Sequence, residues 1–516
     1  MTPVEIHAAS PVAVPERARP GSVSPLTMAA LAVLFSAAMI HAGWYGFLAT
    51  DDMFYARAAA AWLHQAPVLG QTQWALRHLI VLPMAAVFAV FGQSEATLAA
   101  PMLAYGIALL LMTGLCVRRI AGPRAGALAA VLVVSAPAFA SGATVAYTDV
   151  PEAFFVLASY WSFHFALGTQ RRSLFVMAGV LAGCGFLTRE TTVALLVPYA
   201  ILFLIGYGGR LNYVWMGAGF VTVAGADSLC LWLMSGNPLW RLHVTLGAVA
   251  YDSPYTSGLS APAGMSDPLG IFALPRPLQA VTLLFANPAI GLLPWFAVPA
   301  SLCLAWRPVQ PDSATAVRMF ALLAACWFGM LSFVFLVLWL IARYQIVTIC
   351  ALSVPGAVLL EFWLRRGDRL KVAAVLLPIM ASGLLLASAS EHDLMFGEQA
   401  LAGFMRHEDE PVATDPATLA SARWLLESIG AADRVSAALP RAGGLFFLNH
   451  TPRRPLPPGW PVRQAPANAT VVARFIQQPG VVARVLDGLG VGRWIPSALW
   501  RKVHPEPRRA EIVRYP

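Results

Sequence analysis

The sequence predicts an all-α polytopic membrane protein of about twelve (11–13) transmembrane helices, followed by a small α/β domain outside the membrane. Three observations carry that reading. Hydrophobic residues make up 58% of the 516-residue chain and charged residues only 12%, more apolar surface than a water-soluble globule of this size can hide. Apolar runs of spanning length recur from residue 26 to residue 389. Short arginine-rich loops alternate between those runs with loops of mixed charge, which is how topology is written in a membrane protein.

Taken in order, residues 1–24 are Pro/Ala-rich and polar, without the apolar core of a secretory signal, and are expected to be a disordered cytoplasmic tail. Candidate spans follow near 26–49, 78–93, 97–117, 125–142, 150–168, 173–188, 191–207, 213–234, 278–305, 319–341, 344–364 and 371–389. Together, residues 25–390 form the expected membrane domain. The basic loops "RRIAGPR", "QRRS", "GGR", "WRP" and "RRGDRLK" all fall on the inner side if the N-terminus starts there. That topology puts 50–77, 142–149, 188–190, 235–277 and 342–343 outside, with everything after residue 390. The long outer loop 235–277 mixes polar and apolar residues as a surface helix does. In the tail, 391–516, a capping Asp/Thr precedes an amphipathic helix, "DPATLASARWLLES", and then come the strand-like runs "RVSAAL" and "GLFFLN".

The net charge of +9 does not mark a nucleic-acid binder, because the arginines sit in inter-span loops and no basic stripe carries interleaved aromatics. Only two lysines, Lys371 and Lys502, accompany the arginines, a bias that fits a GC-rich bacterial genome. The six cysteines lie inside apolar runs, with no CxxC or metal-type spacing, and read as small buried hydrophobes. No paired interrupted helices of the inverted-repeat transporter type are present.

Against this background the outer face stands out. "TDDMFYARAAAAWLHQ" (50–65) puts Asp51, Asp52, Tyr55 and Arg57 just after the first span, and Arg77 and His78 close that loop. Asp149 emerges in "AYTDVPE", Arg189 in "LTRET", and Arg343 beside Tyr344 in "ARYQ". Arginines in short outer loops oppose the positive-inside bias, and a shared anionic ligand would explain them. Carboxylates with arginines at one membrane face suit transfer of a sugar from a lipid phosphate. That reaction needs a base for the acceptor hydroxyl and positive charge for the departing phosphate, but no general acid. The bland alternatives are helix capping for Asp51, Asp52 and Asp149, an ion pair of Arg189 with Glu190, and headgroup anchoring for Arg343 and Tyr344. Asp227 lies within the eighth span, where a carboxylate is costly, and is left outside the site.

Several stretches resemble the GT-C glycosyltransferases, nearest to the protein O-mannosyltransferase and aminoarabinose transferase-like families that use polyprenyl-phosphate sugars. "DDMFYARAAAAWL" is similar to the start of their first outer loop, and residues 82–122 follow their second and third spans in pattern. "TDVPEAFF", "GFLTRETTVALLVP", "SGNPLW", "GLLPWFAVPA", "ARYQIVTICALSVPG" and "SARWLLESIGAADRV" come in the family's order. The resemblance implies that Asp51 is the catalytic base and Asp149 the second carboxylate, with Arg189, Arg343 and Tyr344 as donor-phosphate contacts. From their place on the outer face, Asp52 is read as orienting the acceptor or capping the helix, Arg57 and Arg77 as further phosphate contacts, and Tyr55 and His243 as contacts of the acceptor or of the gating loop 235–277. Where the aminoarabinose-transferase type has Lys-Pro-Pro, this chain reads Arg77-His78-Leu79, and Arg189 stands where the family has Lys. Arginine and lysine differ in geometry, so the donor and acceptor stay open.

The expectation is therefore an inverting, integral-membrane hexosyl- or pentosyltransferase at the outer face of a bacterial inner membrane. Its donor is a polyprenyl-phosphate sugar and its acceptor a membrane glycolipid, glycan or protein. A divalent metal held by Asp51 and Asp149 is one source of positive charge; no nucleotide or organic cofactor is expected. A transporter or lipid flippase, and a non-catalytic GT-C-like envelope assembly protein, are the competing readings. Oligomeric state is not legible in the sequence.

Overall fold

The computed structural model describes residues 24–252, 274–309, 311–335, 340–389 and 394–516, except 440, 463, 496, 498–499 and 502–503. Residues 1–23 of the expected N-terminal tail and residues 253–273 of the long outer loop lie outside the described residues. In chain order the helices are α1 (Pro25–Ala42), α2 (Asp51–Gln65), α3 (His78–Phe91), α4 (Glu95–Ala121), α5 (Pro123–Val134), α6 (Pro137–Gly142) and α7 (Asp149–Thr169). Then come α8 (Arg172–Thr188), α9 (Leu196–Leu204), α10 (Arg210–Ser235), α11 (Trp240–Asp252), α12 (Arg276–Ala286) and α13 (Leu293–Trp306). The membrane part closes with α14 (Pro311–Gly329), α15 (Ile346–Arg366) and α16 (Arg369–Ala389).

Six helical stretches among the described residues are long and apolar enough to cross a membrane: 25–42, 95–121, 210–235, 313–334, 342–366 and 369–389. Five more apolar helices are shorter, including α3, α8 and α13. The chain is thus a multi-pass membrane protein. Proline accounts for much of the difference from an even series of spans. The run 125–142 divides at Ala136-Pro137, where Pro137 starts α6. The run 278–305 divides between α12 and α13, with Pro294 at the start of the second helix. The run 191–207 opens as a 3-10 turn, Glu190–Leu195, before becoming α9. α15 is the central helix, with 83% of its apolar window buried, and it packs on α5, α7, α13 and α14. Its buried neighbours form one continuous apolar cluster across these helices. Of the cysteines, Cys350 is buried in α15, but Cys230 and Cys303 are exposed on α10 and α13, on surface that lipid would cover.

Beyond the bundle come α17 (Phe396–Met405), α18 (Pro416–Ser428) and α19 (Val481–Gly488) with strands β1 (Val412–Thr414), β2 (Val435–Ala437), β3 (Leu445–Asn449), β4 (Thr470–Ile476) and β5 (Arg509–Arg514). The sheet order is β2-β1-β3-β5-β4, with β2, β1 and β3 parallel and β5 antiparallel to both neighbours. The Asp415 side chain caps α18 by accepting from the Thr418 N–H at 2.8 Å, as the sequence signal requires. β4 and β5, which the sequence did not announce, complete the sheet. Its core is continuous with the first outer loop: Phe47 and Trp424 rings lie 4.8 Å apart, inside a cluster that also holds Tyr55, Ala59, Met84 and Phe447.

Candidate active site

Asp51 and Asp52 open α2, whose approach is tightly turned: Ala49 has φ 54°, a left-handed conformation that a β-carbon disfavours. Asp52 holds this turn. Its buried carboxylate accepts from the N–H groups of Leu48 (2.5 Å), Thr50 (2.6 Å) and Met53 (3.1 Å) and from the Thr50 hydroxyl (3.2 Å). Burial pushes its carboxyl above the ordinary range, while those N–H groups pull it back. The sequence offered acceptor orientation or capping for Asp52, and the structure has its oxygens on the backbone. Asp51, the neighbour, points the other way. Its side chain is 36% exposed, and Oδ2 lies 3.3 Å from Nη2 of Arg343.

Arg343 sits in the 3-10 turn Ala342–Gln345 that begins the central helix. Its Nε lies 3.6 Å from Oδ2 of Asp149, and its guanidinium stacks 4.0 Å from the Tyr147 ring centroid. Tyr147 in turn shares a 2.9 Å hydrogen bond with the Thr50 hydroxyl, tying the α7 entry to the α2 entry. Asp149, Asp51 and the rings of Tyr147 and Tyr344 thus surround the guanidinium with negative or electron-rich partners. Asp149, at the first residue of α7, gives its other oxygen to Arg189 Nη1 at 2.5 Å. Arg189 also faces Glu152 at 3.6 Å and lies 4.0 Å over the Tyr344 ring. Glu152, one turn along α7, accepts from Thr191 (2.5 Å) and Thr192 (3.1 Å). The result is a line of alternating charge, Asp51–Arg343–Asp149–Arg189–Glu152.

A second line adjoins it. Arg77 donates from Nη1 to the buried Tyr55 hydroxyl and lies 3.4 Å from Glu190. Glu190 faces Arg241 at 3.5 Å, and Arg241 forms a bidentate pair with Asp227 at 2.9 and 3.1 Å. Burial opposes ionisation of Glu190, but Arg77 and Arg241 overcome it and hold its carboxyl below the usual range. His78 Nδ1 completes this line, 3.4 Å from Asp227. Adjacent residues Arg189 and Glu190 therefore serve different lines, and neither is the other's recorded partner.

Of the sequence candidates, Asp51, Asp149, Arg189, Arg343 and Tyr344 come together in the first line, and Tyr55 and Arg77 in the second. Two stand elsewhere. Arg57 faces Glu427 of α18 at 3.8 Å, with both side chains over one-third exposed. His243 is exposed on α11, beside Trp240 with ring centroids 5.7 Å apart. Sequence reasoning did not place Glu152, Arg241 and Asp227 in the cluster. The signal for the last two was available: a carboxylate inside a span calls for a cation, and Arg241 is the next arginine along the chain.

As for a divalent ion at Asp51 and Asp149, both carboxylates face the Arg343 guanidinium, and the second oxygen of Asp149 is taken by Arg189. No group of three or more His, Cys, Asp or Glu side chains among the described residues could hold a metal ion. Among the described residues, the positive charge beside Asp51 and Asp149 comes from Arg343 and Arg189.

The protein is thus a helical membrane bundle with a small sheet domain and an arginine–carboxylate cluster at the helix ends. Residues 79–232 match the family of dolichyl-phosphate-mannose-protein mannosyltransferases. Among solved structures, ArnT from Cupriavidus metallidurans in its apo state aligns at TM-score 0.54 and 12% identity, over 82% of this chain and 92% of that one. The same protein bound to undecaprenyl phosphate aligns at TM-score 0.54 and 13% identity, with the same coverage. The Archaeoglobus fulgidus oligosaccharyltransferase, in complex with Zn and sulfate, aligns at TM-score 0.51 and 16% identity over 80% of this chain, which spans 62% of that protein's length. None of the curated proteins matches in sequence. The chain shares the GT-C fold of these solved structures.

Proposed function

We propose that the protein transfers a sugar from a polyprenyl-phosphate donor to an acceptor hydroxyl, with inversion, at the outer face of the inner membrane. The observation that carries this reading is the line Asp51–Arg343–Asp149–Arg189. It ends in the one carboxylate of the group that keeps substantial exposure, 36% for Asp51 against 3% for Asp149. Asp51 takes the proton from the acceptor hydroxyl as that oxygen attacks the anomeric carbon from the face opposite the phosphate. The bond from that carbon to the phosphate oxygen breaks, and the electron pair leaves on polyprenyl phosphate. Arg343, with Arg189 and Arg77 behind it, meets the charge that develops there. Asp149 does not touch the proton in this scheme; its two oxygens fix the orientation of both guanidiniums. Tyr344 and Tyr147 stack on the same groups and keep them flat.

Topology supports the outer face: the loops bearing the cluster lie opposite the short basic loops. The acceptor, whether glycolipid, glycan or protein hydroxyl, is left at the level of a hydroxyl nucleophile, and the sugar as a hexose or pentose. The test uses purified protein in nanodiscs with a panel of polyprenyl-phosphate sugars and a membrane-glycolipid extract, reading release of polyprenyl phosphate. Asp51→Asn is expected to lower release by about 10²–10⁴-fold while still binding donor. Equal release by both proteins would remove Asp51 from the role of base. Chelation with EDTA is expected to leave turnover unchanged, since arginine supplies the countercharge; loss restored by added Mg²⁺ or Mn²⁺ would overturn that part.

A further inference from the structure

The sheet domain carries an apolar face with no protein partner described over it. α19 exposes Val481 (49%) and Val485 (53%), and Leu489 just beyond it is 68% exposed. These positions are four residues apart and line one side of a helix. Ala483, on the opposite side, is 2% exposed and packed inward. In the 3-10 turn that follows, Val491–Trp494, the indole of Trp494 is 76% exposed. A water-facing domain has no reason to display these side chains together.

Position and charge identify what covers them. α19 packs against α16, the last helix of the bundle, which is apolar enough to span and has only 22% of its apolar window buried. The rest of α16 therefore faces lipid, and the chain enters the sheet domain from its end at Ala389. α19 therefore lies beside a helix with exposed apolar surface. Three exposed arginines flank it: Arg484, Arg493 and Arg501. The Arg493 guanidinium lies 5.4 Å from the Trp494 ring, and the nearby acid, Asp487, is paired with His504 at 3.1 Å. Exposed valine and leucine between a tryptophan and arginines is the composition of an interfacial helix, with the indole at headgroup level and the cations on lipid phosphates.

We infer that α19 and the turn after it form a membrane-interface anchor that seats the sheet domain in the outer leaflet, through apolar insertion and arginine contacts to anionic headgroups. The inference is independent of the proposed reaction. It fixes the domain's height above the bilayer, and so holds its contacts with the Asp51 loop at the level of a lipid-borne substrate.

The test uses the full chain in nanodiscs, with its six cysteines replaced by alanine and one cysteine introduced at Val485, Trp494 or, as control, the exposed Ser436 on the far strand β2. Each is labelled with an environment-sensitive fluorophore. Lipids carrying a nitroxide near the headgroup end of the acyl chain should quench positions 485 and 494 but not 436, and more strongly with phosphatidylglycerol than with pure phosphatidylcholine. Charge reversal at Arg484, Arg493 and Arg501 together should remove that lipid preference. Quenching of all three sites by aqueous iodide, with none by lipid, would overturn the anchor. Protection of 485 and 494 from both quenchers would also overturn it, in favour of a second protein surface. Equal quenching in both lipids would overturn the headgroup role of the arginines.

Discussion

Asp51 and Asp52 are adjacent, chemically identical and differently employed, and this contrast defines the cluster at the residue scale. Asp52 spends its oxygens on the backbone of a turn that includes a left-handed Ala49; Asp51 is left facing Arg343. Two arginines of the sheet domain brace the same turn from outside, with Arg453 and Arg454 each donating at 3.4 Å, to the Leu48 and Ala49 carbonyls. The pair Arg241–Asp227 is a different case, a nearly dry ion pair at the end of a span. Arg241→Ala should destabilise the protein by up to about 3–5 kcal/mol, because it leaves the buried Asp227 carboxylate with His78 in place of a bidentate arginine. Asp227→Asn added to that variant should recover part of the loss, as read by thermal unfolding in detergent. Glu398 gives a pH dependence. Burial pushes its carboxyl up to about 6, against the Arg453 N–H that donates to it at 3.0 Å. A folded-state pKa above the unfolded one means the native state binds the extra proton, so stability falls as pH rises through about 4.5 to 6. The full cost above that window is about 2 kcal/mol. Glu398→Gln should melt higher than the parent at pH 8 and lose the advantage near pH 4.5. A constant difference between the two across that range would refute the assignment.

Among the elements, the closest contact is between α8 and α10. A β-carbon at Gly179 would come 1.8 Å from the Met216 carbonyl oxygen, and one at Gly219 2.2 Å from that of Val176. Small residues let two membrane helices bring their backbones together where lipid offers no hydrophobic gain from association. That closeness matters because α8 ends at Arg189 and α10 carries Asp227, so the pair sets the spacing of both charge lines. Gly179→Ala should cost about 1–3 kcal/mol through overpacking. Turnover should fall with it, while Gly217→Ala on α10, where no atom lies within 4 Å of the added carbon, should leave melting temperature and turnover unchanged. A 3-10 turn opens each of two segments that deliver site arginines: Glu190–Leu195 just after Arg189, and Ala342–Gln345 around Arg343. Arg189 is the extended residue (φ −160°, ψ 136°) before the first of these turns and Glu190 its first residue, and the two side chains reach separate lines.

For the whole molecule, the membrane bundle and the sheet domain are joined through apolar packing that includes α2 of the first outer loop. Trp424 of α18 is 1% exposed, 4.8 Å from the Phe47 ring and 6.5 Å from that of Phe88 on α3. Trp424→Ala should cost about 3–5 kcal/mol. It should also lower turnover although the residue touches no charged group of the site, because the support of residues 47–52 is shared with the domain core. Unchanged turnover in a destabilised Trp424→Ala protein would show that the loop holds its shape without the domain.

The membrane class and the order of the polar landmarks were determined by sequence alone, because hydropathy is a local property of the chain. So was the α18 cap, a side chain bonding its own helix start three residues away. The start of α2 was local as well, whereas the different fates of Asp51 and Asp52 were not, since they depend on which partners lie on each side. The decisive pairs join residues 40 apart, Asp149 with Arg189, and 292 apart, Asp51 with Arg343. Nothing in an amphipathic period or a propensity encodes such a pairing. Arg57 shows the reverse: by position in the first outer loop it looked equivalent to Arg77, yet one turns toward Glu427 of the sheet domain and the other toward Tyr55 and Glu190. Only tertiary packing separates them, because the face of α2 that an arginine occupies is decided by what the rest of the chain brings against it.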